Sequence, residues 1–255
     1  MKNGLRQYVR KAITFLRNKF STRNEDLSFY ILIFSALVVF VLGLNFFIEL
    51  TDSLTGRALK NYDRTVTDFV ISFRTPQLTK IFQYITDAGD LYGYIIATFI
   101  AAVFFFLKFR NWKIIMQLLA VTILAALSNI ALKRVINRAR PDIEHLVVVE
   151  SLSYPSGHAM SATAFYGFLI YLVFKIKMNK WLKGFLMVLF GFLILLIGTS
   201  RIYLGVHFPS DVVGGFLAGL IWVAFCIVLF NIVSLLRERK AMVDPTVEKE
   251  EIIEE

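Results

Sequence analysis

The apolar residues of this chain arrive in long blocks, and that pattern rules out most folds. A soluble helix alternates apolar and polar faces, whereas these blocks run for about 18 residues or more, the length a bilayer core demands. They fall at roughly 28–49, 91–107, 114–132, 158–175, 184–200 and 212–236. The composition agrees: 57% of the 255 residues are apolar, against about 45–50% in an ordinary soluble domain. In lipid a segment must satisfy its own backbone, so each block is read as a helix. The expected fold is all-α: a polytopic membrane protein with a bundle of six transmembrane helices. The second block is short for a span unless it borrows residues from its flanks.

Charge gives the orientation. With both termini placed inside, 18 of the 28 lysines and arginines fall in inner segments and ten in outer ones. This predicts cytoplasmic termini in a cell membrane, with the loops after the first, third and fifth spans outside. The net charge of +9 comes without an arginine-rich motif or aromatic–basic interleaving. It therefore reads as contact with anionic lipid and not as a nucleic acid partner. The first 27 residues lack the continuous apolar core of a cleavable signal peptide. Their stretch "LRQYVRKAITFLRNKF" sets Leu5, Val9, Ile13, Leu16 and Phe20 opposite Arg6, Arg10, Lys11 and Arg17. It is either a basic amphipathic helix on the inner leaflet or simple flanking charge. The organisation expected is thus a basic segment over 1–27, a six-span domain over 28–236 and an acidic, disordered tail over 237–255. Cys226, the single cysteine, reads as a packing residue.

The first outer loop, about 50–90, is long. Leu59, Tyr62, Val66, Phe69, Val70 and Phe73 recur at helical spacing, Pro76 breaks the pattern, and "LTKIFQYI" resumes it. One or two short amphipathic helices are expected there, as a lid or as a packed connection. In the last span Gly215 and Gly219 are spaced for close helix packing.

Polar residues concentrate in three outer segments: "KRVINRARP", "YPSGH" and "SRIYLGVHFPSD". An even number of spans separates any two of them, so the topology places all three on one side. Lys133, Arg140 and Arg201 supply cations suited to phosphate oxygens. Pro155, Ser156, Gly157 and His158 look like a helix start, whose backbone N–H groups face an anion; the Ser156 hydroxyl adds a donor, and Gly157 permits close approach. His207 precedes Pro209, which suits the first turn of the last helix. Asp211, four residues on, can accept from one ring nitrogen of His207 and leave the other as a nucleophile. His158 can then protonate the leaving oxygen and later activate water. Taken together this is a cradle for phosphoryl transfer.

Other polar residues carry less. Asp142, Glu144 and Glu150 lack His or Cys partners at ligand spacing, and their surroundings are cationic, so no metal is expected. His145 reads as solvated. Arg134 and Arg138 read as surface charge or as a lure for anionic lipid.

These motifs resemble the type 2 phosphatidic acid phosphatase superfamily, which includes bacterial undecaprenyl-diphosphate phosphatases and vanadium-dependent haloperoxidases. The matching residues are Lys133 with Arg140 and Pro141, then Pro155 to His158, then Ser200, Arg201, His207 and Asp211. The resemblance spans about residues 50–236. It implies a cofactor-free, metal-independent phosphatase with a phosphohistidine at His207, His158 as general acid and Asp211 as the partner of His207. It implies Lys133, Arg140, Ser156, Gly157 and Arg201 as phosphate ligands, and a membrane lipid phosphate as substrate. Undecaprenyl diphosphate suits an outward-facing site and is the first expectation. Phosphatidylglycerophosphate or phosphatidic acid fit the same chemistry. A vanadate peroxidase is disfavoured by the six spans, and a non-catalytic lipid-binding protein by the presence of every motif residue.

Overall fold

The structure, a computed structural model, describes residues 25–149 and 151–243. The basic helix expected over residues 5–20 and the end of the acidic tail lie outside the described residues, as does Glu150. The described residues form eight α-helices and one 3-10 turn, without strands. In chain order these are α1 (Glu25–Asp52), α2 (Arg57–Ile71), α3 (Pro76–Asp87), α4 (Leu91–Phe109), α5 (Trp112–Ile136), α6 (Gly157–Lys175), α7 (Lys180–Tyr203) and α8 (Pro209–Val243). Six of them, α1 and α4 to α8, are long and apolar enough to cross a membrane. They are the six apolar blocks, in order.

Each span outruns its apolar block because a helix continues into polar sequence until a local signal stops it. Asn111 and Asn179 open α5 and α7 by accepting from the N–H groups of Lys113 and Trp181, both at 2.9 Å. Asn137, with φ 50°, closes α5 in the left-handed conformation that asparagine tolerates. The short second span gains its flanks in this way: α4 has 19 residues, about 28 Å of helix. At the other end α8 continues to Val243, so the helix runs into the tail expected from residue 237.

By its contacts the chain divides into two units, Met1–Val38 with Ile227–Glu255, and Val39–Cys226. The described part of the first is the start of α1 and the end of α8, where Asn231 Nδ2 donates to the Ile227 carbonyl at 2.6 Å. The second holds all of the residues discussed below. Its centre is α6, buried around most of its circumference by side chains such as Ala159, Ala162, Phe165 and Phe168. The α8 helix closes onto it without intervening side chains. A Cβ on Gly215 would lie 2.8 Å from the Ala159 Cβ, and one on Gly219 2.5 Å from the Thr163 Cβ, so both glycines serve the packing their spacing predicts.

The long loop between the first two spans is a packed connection. Pro76 opens α3, with the Thr75 hydroxyl accepting from the Leu78 N–H at 3.2 Å. Both loop helices pack on α7. Phe82 stacks on Tyr203 with ring centroids 4.4 Å apart. The Tyr203 hydroxyl accepts from the Thr75 N–H at 3.0 Å, and Arg74 Nε donates to the Tyr203 carbonyl at 3.0 Å.

Candidate active site

The end of α5, the start of α6 and the α7–α8 turn meet at one cavity of about 360 Å³. Six of the eight residues singled out in the sequence line it: Lys133, Arg140, Gly157, His158, Arg201 and His207. Ser156 and Asp211 stand behind the wall, both fully buried. Local rules explain the convergence. Once Asn137 has ended α5, the chain turns and carries Arg140 back over the cavity. Ser156 holds the cap position of α6, and its own N–H donates to the Asp211 carbonyl at 2.9 Å. The N–H groups that follow it in the first turn of α6 have no acceptor within their helix, as at any helix start.

Asp211 does two jobs. From the first turn of α8 its Oδ2 reaches back to accept from the Phe208 N–H at 2.8 Å, which caps the helix. The same oxygen lies 3.4 Å from His207 Nδ1 and accepts from the Ser153 hydroxyl at 2.5 Å. With Nδ1–H turned to the carboxylate, Nε2 presents its lone pair, and Arg140 Nη1 lies 3.3 Å from it. His207 is buried, and burial pushes its pKa down to about 3 despite the carboxylate beside it. The ring is therefore neutral, with a nitrogen available, through the whole physiological range.

The sequence reading of Arg138 as surface charge is overturned. Its Nη1 donates to Asp211 Oδ1 at 2.6 Å and its Nη2 to Asp63 Oδ2 at 2.8 Å, with only 14% of the side chain exposed. Asp63, on the inward face of α2, also accepts from the Ser210 N–H at 2.9 Å and the Ser210 hydroxyl at 2.6 Å. The loop between the first two spans thereby braces the carboxylate that braces His207. Arg134, by contrast, is exposed as expected. So is His145, whose Nε2 lies 3.0 Å from the Pro141 carbonyl.

A second histidine–carboxylate pair was not legible in the sequence. Asp90 holds the cap position of α4 yet makes no capping bond there. Its Oδ1 instead lies 2.6 Å from His158 Nε2, off the line of a good hydrogen bond. His158 beside it holds the Asp90 carboxyl below the usual range.

The cations are fixed by short bonds. Arg140 donates to the Ser151 and Val206 carbonyls at 2.6 and 2.5 Å, and burial lowers its pKa. Lys133 Nζ donates to the Ser151 hydroxyl at 2.9 Å, and Arg201 Nη1 to the Thr86 hydroxyl at 2.5 Å. Arg201 Nε and Ser156 Oγ are buried without a hydrogen-bond partner among the described residues. The arrangement offers an anion three cations, a helix start and a nucleophilic nitrogen in one cavity.

Residues 114–233 match the PAP2 superfamily. The chain is 34% identical over 180 residues to phosphatidylglycerophosphatase B of Bacillus subtilis (strain 168), across 69% of this chain and 87% of that protein. Fold and sequence together define a multi-pass membrane phosphatase. The chain belongs to the PAP2 superfamily. It is similar in structure to the transmembrane PAP2-type phosphatidylglycerolphosphate phosphatase from Bacillus subtilis, with a TM-score of 0.70 and 32% identity over 75% of this chain and 95% of that one. Aquifex aeolicus LpxE, at 24% identity over 64% of this chain and 93% of its own, shares the fold with a TM-score of 0.52.

Proposed function

We propose that this chain hydrolyses a lipid phosphate through a phosphohistidine at His207. One observation carries the reading: His207 Nε2 presents a lone pair toward Arg140, in a cavity that Lys133 and Arg201 also line. Nε2 attacks phosphorus as the bond to the leaving oxygen breaks, and His158 gives that oxygen a proton. Water then attacks the phosphohistidine while His158 takes a proton back. The N–P bond breaks, its electrons return to Nε2, and inorganic phosphate leaves. Arg140, Arg201, Lys133 and the start of α6 hold the phosphate oxygens throughout. Asp211 keeps the His207 proton on Nδ1. The placement of lysines and arginines supports cytoplasmic termini and an extracytoplasmic site.

For the substrate, the name carried by the Bacillus subtilis relatives supports phosphatidylglycerophosphate. Undecaprenyl diphosphate, the first expectation from the sequence, shares with it a terminal phosphate next to a second anionic group. Purified protein offered each of these lipids and phosphatidic acid, with a chelator present, should release phosphate and be inhibited by vanadate. No release from any of the three would sink the proposal.

Asp90 acts as a positioning residue in this scheme. Its carboxylate beside Nε2 orients the ring of His158, whose Nδ1 serves the leaving oxygen. Asp90→Asn is expected to lower kcat about 10- to 100-fold while KM stays within about twofold of the wild type. An unchanged kcat, or a loss carried by KM instead, would leave Asp90 with a structural role only.

A further inference from the structure

A second cavity adjoins the catalytic one and takes no part in the chemistry above. It measures about 440 Å³, and Arg140 lines both. Four cations, Lys60, Arg64, Arg138 and Arg140, face a single carboxylate, Asp63, across it. Two of these five groups are already engaged with each other: Asp63 is 1% exposed and bound by Ser210 and Arg138, while Arg138 spans Asp63 and Asp211. Arg140 belongs to the catalytic site. Lys60 and Arg64 are left. They stand one turn apart on α2 and are exposed. Arg64 meets only the exposed Asp68, at 3.8 Å, and Lys60 forms no ion pair among the described residues. Two such charges on a cavity wall create a field that an anion would neutralise. That anion would sit beside the scissile phosphate, with Arg140 between them.

A third cavity, about 470 Å³ and lined almost wholly by apolar side chains, lies among α1, α5, α6 and α8. Leu132 lines it one turn before Ile136 lines the cationic cavity, and Phe47 lines it two turns before Leu54 does. Along α5 the groove meets both polar cavities: Asn129 and Lys133, next to its Ser128 and Leu132, line the catalytic cavity, and Ile136 lines the cationic one. A lipid chain in that groove would end beside both cavities.

We propose that the cavity walled by Lys60 and Arg64 binds the second anionic group of the substrate. This is the phosphodiester or inner phosphate between the lipid chain and the scissile phosphate. The proposal rests on the lipid phosphatase reading above, and it makes α2 a specificity element.

The test compares substrates that differ in that group. The wild type and the Lys60→Gln/Arg64→Gln double variant are assayed on phosphatidylglycerophosphate, undecaprenyl diphosphate and phosphatidic acid, which has no second anionic group. The ratio of kcat/KM for a two-anion lipid to that for phosphatidic acid is expected to fall about tenfold, mainly through KM. A fall for the phosphodiester lipid alone, the diphosphate alone or both supports the site and shows which anion it takes. An unchanged ratio, or an equal fall on all three lipids, overturns it. Affinity for a non-hydrolysable prenyl methylenediphosphonate is measured on the same proteins, and its Kd is expected to rise about tenfold in the double variant. Since this needs no turnover, an inactive wild type would refute the phosphatase reading while the Kd still decided the subsite. An unchanged Kd overturns the subsite whatever the activities.

Discussion

His207→Ala is expected to abolish turnover, by about 10⁵-fold or more, since it removes the ring nitrogen that Asp211 orients for attack on phosphorus. The structure makes the loss specific. The remaining partners of Asp211, which are Arg138, Ser153 and the Phe208 N–H, do not depend on the ring. The α7–α8 turn should therefore keep its shape, and the variant should elute from size exclusion as the wild type does. Brief exposure of the wild type to a lipid labelled in its terminal phosphate should trap an acid-labile, alkali-stable phosphoryl-protein that the variant lacks. If the variant keeps more than about a hundredth of wild-type turnover, the nucleophile lies elsewhere.

Asp211→Asn should be nearly as severe, with a fall in kcat of about 10³- to 10⁴-fold, equivalent to about 4–5.5 kcal/mol in the barrier. An amide in that place can turn its NH₂ toward His207 and so stabilise the wrong tautomer, with the proton on Nε2 and no lone pair for the phosphate. It also strips Arg138 of one of its two carboxylates. Because the phosphate ligands are untouched, vanadate should still bind. Wild-type kcat in Asp211→Asn would mean that Arg140 and Ser153 suffice to set the tautomer, and the role assigned to Asp211 would fall.

The parts of the site visible in the sequence were those whose chemistry dictates both residue type and spacing. Lys133, Arg140, His158, Arg201 and His207 meet in one cavity, as expected of the cations, nucleophile and acid that the proposed phosphoryl transfer needs. Spans with polar ends brought them to one side. Arg138 was hidden by its surroundings. Between Arg134 and Arg140 it looks like any headgroup anchor, and its partner Asp63 lies 75 residues away on a helix whose docking only tertiary packing decides. Asp90 was hidden by a plausible alternative. An aspartate before an apolar helix reads as a cap, and only the structure turns it away from α4 toward His158. Thr86 and Ser151 carried no signal at all: neither has a distinctive spacing, and each matters only through the cation it meets. The six helices were legible as blocks, but their ends were not. Those depend on single residues such as Asn137 and Asn179 rather than on apolar length.

The bond between Asp63 and Arg138 bears on how such proteins diversify. The helix that carries Asp63 also presents Lys60 and Arg64, so the segment that would vary to suit a new headgroup is held against Arg138 and Ser210 through one carboxylate. A chimera that exchanges α2, residues 57–71, for those of a relative must bring a counterpart of Asp63 in register with Arg138 and Ser210. Otherwise it loses catalysis along with the old preference. Exchange of α2 in this scaffold is thus constrained at one position and permissive at its neighbours, and a library built on α2 should fix residue 63 and randomise around it.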